Sequence, residues 1–166
     1  MYHTIDEFTK DWSEETANTA KILEALTDES LNTKVHDNVR TLGRLGWHIA
    51  LTLGEMGEKT GLKVDCPPED APLPASAAAI ADTYKKASAS MLEDIKADWT
   101  DEMLAEEIEL YGQKWTRGFS LSGLLKHELH HRAQMTVIMR ILGLSVPGLY
   151  GPSKEEWAAY GMSAPE

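Results

Sequence analysis

The chain has 166 residues, of which 42% are hydrophobic, enough to bury a full core without disulfides or structural metals as staples. Lys plus Arg total 16 against 27 Asp plus Glu, a formal net charge of −11, and such a surface repels polyanions, so DNA, RNA and acidic membranes are excluded as expected partners. A single cysteine, Cys66, forbids an intramolecular disulfide, no apolar run is long enough to span a bilayer, and the start MYHTIDEFTKDW lacks signal-peptide character; a cytoplasmic location is expected.

Thr4 and Glu7 form a capping box, and Ile5, Phe8, Trp12, Ala20, Leu23 and Leu26 follow at helical spacing, predicting a first helix over 5–26. Thr27 to Thr33 reads as a connection. A second helix is predicted from about Asp37 to Lys59, with Val39, Leu42, Gly46, Ile49, Leu53 and Met56 on one apolar face. Trp47 and Leu51 lie off that face, so this side must also be covered. A second subunit is the expected cover; the competing reading folds the crossover or the tail over it.

Residues 61–76, GLKVDCPPEDAPLPAS, hold four prolines and predict a long crossover. Ser76 caps a third helix ending near Asp98, with Ile80, Tyr84, Ala87, Met91 and Ile95 on its stripe. Thr100 to Glu107 suggests a short helical turn, and residues 108–120 a small hairpin or an ordered loop. The fourth helix is predicted to start at Ser120 or Ser122 and run to Leu142, where Gly143 and Pro147 stop it. Ser153 and Glu156 suggest a second capping box opening a short tail helix, closed by Gly161. The expectation is an all-α chain: one four-helix-bundle domain over 1–166.

Residues 127–131 read HELHH, a literal match to H-E-x-x-H. His127 and His131, four apart, project from the same side of a helix, and two such imidazoles can bind one metal ion without bending it. His130 points about 100° away. A third ligand is needed, and His48, at the border of helix two's apolar face, is the best candidate; a lone border histidine is ordinarily a packing residue, and the pair is what adds weight. Three histidines with an open position suit Zn²⁺ or Ni²⁺. His3 and His36 read as exposed histidines and Cys66 as a loop residue whose thiol could reach a site mouth. The peptidase reading would use Glu128 as base and Glu155 or Glu156 as third ligand. Against it, Glu128 falls within the apolar stripe and no strand offers itself to a peptide.

With the helix order and these histidines in place, the sequence resembles the DinB/YfiT-like family of four-helix-bundle proteins. The resemblance spans nearly the whole chain, carried by TLGRLGWHIALTLGEM (41–56) and LLKHELHHRAQMTVIMRILG (124–143), with the H-x-x-H-H-R-x-Q run its most specific piece. It implies an up-down-down-up bundle in which His48, His127 and His131 hold one divalent metal, a small-molecule substrate, and often a homodimer. Family members include thiol-dependent S-transferases and a maleylpyruvate isomerase that use low-molecular-weight thiols, so a metal-dependent enzyme acting on small electrophiles is implied. Glu128 and Gln134 are then candidates to orient ligands or histidines; their structural alternatives are a Glu128–Arg132 pair at i+4 and a backbone cap by Gln134. The competing function is a metal-binding stress or sensor protein without turnover.

Overall fold

The helix boundaries follow from their caps. In the computed structural model, which describes residues 1–165, helix α1 spans Ile5–Glu24 and opens on the predicted capping box of Thr4 and Glu7. A short 3₁₀ turn, Asp28–Ser30, follows. Helix α2 spans Leu42–Thr60. It starts five residues later than the periodicity predicts. The Thr41 side chain accepts from Arg44 N at 3.2 Å, and this cap, not the apolar pattern upstream, sets the start. Before it, residues 34–40 form turns, with Val39 N donating to His36 O and Asn38 N to His36 Nδ1. Gly61 ends α2 with φ +88°, a left-handed position that suits glycine.

Helix α3, Ala77–Asp98, is capped by Ser76 as expected, and the turn after it is a 3₁₀ segment, Glu102–Ala105. The ambiguous stretch is a hairpin of β1 (Glu107–Leu110) and β2 (Gln113–Thr116). Its two connecting residues both have positive φ, Tyr111 at 52° and Gly112 at 72°, the mirror-image turn that matches strand twist. Helix α4 spans Arg117–Ile141 and begins earlier than predicted because Thr116, the last strand residue, is also its cap. Ser120 and Ser122 are instead buried inside α4. The tail forms a 3₁₀ turn, Glu156–Tyr160, without the full capping box: Glu156 accepts from Ser153 N at 3.0 Å and Gly148 N at 2.9 Å, but no side chain caps the turn itself.

The ends of the helices reveal the topology. Asp28, just past α1, accepts from Ala77 N at the start of α3, and Leu31 O accepts from Gly43 N at the start of α2. At the other end, Arg117 at the start of α4 donates to Thr60 O at the end of α2, while Tyr2 beside the start of α1 donates to Gly118 O. The helices therefore run up, down, down and up. Each of α1 and α2 packs on both α3 and α4, so α2 and α4 are neighbours. The parallel step from α2 to α3 requires the long crossover of residues 61–76.

That crossover overturns one expectation. Trp47 and Leu51 are only 3% and 4% exposed, within the chain's own core. Trp47 Nε1 donates to Ala71 O of the crossover at 2.9 Å. The pair presents no bare patch, and the reason to expect a dimer on this side is removed. Among the described residues, no helix is long and apolar enough to cross a membrane.

Candidate metal centre

The adjacency of α2 and α4 brings three histidines together. His127 Nε2 lies 3.1 Å from His48 Nε2 and 3.1 Å from His131 Nε2. All three nitrogens fall within 4.8 Å of one another. Ring centroids are 4.5 to 4.9 Å apart with interplanar angles of 72° to 80°, so the rings meet edge-on and do not stack. His130, on the next column of α4, is exposed and does not join them.

Hydrogen bonding alone explains this poorly. A neutral imidazole nitrogen has one in-plane position, either an N–H or a lone pair. His127 Nε2 faces two ring nitrogens and can pair well with only one. A cation placed among three lone pairs resolves the conflict, and imidazole nitrogens sharing a divalent ion at about 2.1 Å stand about 3.0–3.5 Å apart. The three imidazoles therefore form a cluster that could hold a metal ion.

The surroundings keep the imidazoles neutral. Burial, followed by the neighbouring imidazoles, lowers His48 to about 4 and His127 to about 4. Burial also lowers His131, partly opposed by its bond to Gln134. His131 Nδ1 lies 2.8 Å from Gln134 Oε1. With the carbonyl oxygen as acceptor, Nδ1 carries the proton and Nε2 presents a lone pair to the cluster.

Glu128 lies elsewhere. It is 1% exposed and faces the core, where its Oε1 accepts from Thr19 and Tyr84, each at 2.7 Å. Its Oε2 has no partner among the described residues. Burial raises its carboxyl to about 7. The alternative Glu128–Arg132 pair does not form: Arg132 pairs with Glu15 and reaches Glu128 only through the Thr19 hydroxyl. The peptidase arrangement fails on the same ground. Glu128 is sealed from the histidines' open side, Glu155 pairs with Arg140, and Glu156 binds backbone amides in the tail. Cys66 is half-buried with Sγ 3.4 Å from Ala50 O and does not line the histidine cavity.

That cavity has a volume of about 780 Å³. Its floor is His48, His127, His131 and Gln134; its wall is Leu45 and Ile138 with Val137 and Ile141 from the last turns of α4; its rim is Val35, Asn38, Val39 and Arg40. The rim escapes the sequence reading because residues 37–41 look like helix. The wall was findable: 127, 131, 134, 138 and 141 recur at helical spacing, one face continuing the histidine column. A second cavity of about 320 Å³ opens on the other side of His48 and His127, toward Thr52, Glu55, Tyr111 and Trp115.

Known proteins place this architecture. The DinB family profile matches residues 1–166. An uncharacterized protein, YrdA of Bacillus subtilis strain 168, is 46% identical over 166 residues, covering 100% of this chain and 99% of its own. The crystal structure of a DinB-like protein from Bacillus cereus ATCC 10987 is similar at TM-score 0.86 and 41% identity, covering 90% of this chain and 100% of that one. A DinB-like protein from Bacillus subtilis, YjoA, shares the fold at TM-score 0.68 and 17% identity, covering 89% of this chain and 99% of that one. With its four-helix topology and whole-length match, the chain belongs to the DinB family.

Proposed function

We propose that the chain is a divalent-metal-dependent enzyme that joins a small thiol to an electrophilic substrate in the cavity above His48, His127 and His131. The observation that carries this reading is that His127 Nε2 lies 3.1 Å from both His48 Nε2 and His131 Nε2, in a three-histidine cluster at the floor of an open cavity. A purely structural histidine cluster has no need of a cavity of about 780 Å³ over it, whereas a small-molecule site does.

His48, His127 and His131 would hold the ion, and Gln134 would fix the ring and tautomer of His131. When bound, a divalent ion supplies Lewis acidity that lowers the pKa of a thiol, making the nucleophile available near neutral pH. The chain's own residues do the rest. Leu45, Val137, Ile138 and Ile141 displace water from the reacting atoms, and the neutral imidazoles leave the ion's charge uncancelled. No general base stands in the cavity, since Glu128 faces the core; the thiol proton would leave to solvent through the open mouth.

The test is a conjugation screen. Untagged protein loaded with Zn²⁺ or Ni²⁺ is given low-molecular-weight thiols and reactive electrophiles, and conjugate is measured by mass. The expected result is metal-dependent product that His127→Ala abolishes. Stoichiometric metal with no product from any pairing would favour the sensor reading.

A further inference from the structure

We infer that the histidine cavity takes a small organic anion with an apolar body, gripped at its charged end by Arg40. The inference rests on the reading of this cavity as a substrate site and names the class of molecule it accepts.

The first ground is charge. The chain carries 27 acidic residues in 166, yet none of the residues lining this cavity is Asp or Glu. The one charged side chain there is Arg40. On the other face of the histidines the smaller cavity does hold a carboxylate, Glu55, already engaged by Lys59 and Tyr111. The depletion of acid is therefore specific to one side of the cluster.

The second ground is the state of Arg40. Arg117, Arg132 and Arg140 are in ion pairs; Arg40 and Arg44, which flank the start of α2, have no carboxylate partner among the described residues. Surplus acid surrounds the molecule, and this guanidinium still stands unpaired at the rim. A guanidinium presents paired N–H donors that match the two oxygens of a carboxylate.

The third ground is the wall. Val137 and Ile141 are 60% and 63% exposed, large apolar groups held open beside the rim. With Val35, Val39, Leu45 and Ile138 they give the cavity that Arg40 lines a largely apolar wall. A free inorganic anion would leave this wall wet. A ligand with an anionic head and a short hydrocarbon body covers both features.

Calorimetric titration of untagged protein with sodium hexanoate, hexan-1-ol and sodium acetate tests this, with metal-free and zinc-loaded protein run side by side. Hexanoate should bind roughly tenfold more tightly than hexan-1-ol, the worth of a partly exposed charge-assisted contact, and acetate should bind far more weakly than hexanoate. Arg40→Gln should remove the preference for hexanoate and leave hexan-1-ol unchanged; Arg44→Gln should keep it. Arg40 makes no hydrogen bond that the fold requires, and melting curves check that both variants fold. Equal binding of acid and alcohol overturns the inference, as does a preference that survives Arg40→Gln or exists only with zinc. Because metal-free protein carries the decisive comparison, failure of thiol conjugation would leave the result standing, and failure here would leave metal binding intact.

Discussion

Arg132 is the buried charge on which the junction of α1, α4 and the tail depends. It is 2% exposed and donates to Glu15 O at 2.9 Å, to Thr19 Oγ1 at 3.0 Å, and to the Glu15 carboxylate and the Tyr150 hydroxyl. Arg132→Met keeps an apolar stem of similar reach and removes the cation. The Glu15 side chain, only 13% exposed, is then left with the Tyr150 hydroxyl at 2.6 Å. Removing one partner of a buried pair costs about 3–5 kcal/mol; the remaining Tyr150 bond and the partial exposure of Glu15 place this case near 3. Against a total of about 5–15 kcal/mol the variant stays folded but weakened. Urea unfolding, followed by the fluorescence of the five tryptophans, measures the loss. A double-mutant cycle locates it: coupling of Arg132 to Glu15 should reach about 2 kcal/mol, and coupling to Glu128, which passes through one hydroxyl, should stay below about 1. A total loss under about 1 kcal/mol, or stronger coupling to Glu128 than to Glu15, would refute this account of the network.

Four further outcomes follow, three from the site and one from Glu128. Metal retention against a competing chelator should persist below pH 6.5, the usual histidine value, and collapse nearer the lowered values of about 4 for His48 and His127; release centred at 6.5 would contradict the burial argument. The same shift has a sign for the metal-free fold: depressed histidine pKa values contribute stability above about 6.5 that is lost as pH falls toward 4, which unfolding at a series of pH values reads. Gln134→Ala should weaken metal binding about 10- to 100-fold while His130→Ala leaves it unchanged, as measured by competition with a chelating dye. Glu128 runs the other way: burial raises its folded pKa to about 7 above an unfolded value of 4.5, so its ionisation is unfavourable to the fold, absent below 4.5 and complete above 7. Glu128→Gln should therefore gain about 3 kcal/mol relative to wild type between pH 4.5 and pH 8, and a pH-independent difference would show that Glu128 is not desolvated.

The four helices were legible because their apolar stripes and caps are local signals, and Thr4 and Ser76 act where the sequence places them. The errors come from signals that compete. Val39 continues the periodicity of α2, but the Thr41 hydroxyl captures Arg44 N and starts the helix there, leaving Asn38, Val39 and Arg40 to join Val35 at the cavity rim. Thr116 caps α4 from the end of a strand, a dual role no single-element pattern displays. The histidine trio was accessible because i, i+4 spacing fixes two members and a border position marks the third. Glu128 misleads for the same reason that it sits mid-stripe: its partners Thr19 and Tyr84 come from α1 and α3, and a pairing across 109 and 44 residues leaves no trace in local spacing. Trp47 looked unpartnered because its cover, Ala71, lies on the proline-rich crossover, where periodicity says nothing.

The central claim is that His48, His127 and His131 form one divalent-metal site. The most direct test is metal stoichiometry by mass spectrometry on protein made without a histidine tag, for wild type and the His48→Ala, His127→Ala, His131→Ala and His130→Ala variants, after dialysis against excess zinc and then a mild chelator. Wild type and His130→Ala should retain one ion per chain, and each of the other three should lose it, with affinity lower by more than about 100-fold. Retention of a full ion by His48→Ala, or equal loss in His130→Ala, would contradict the account.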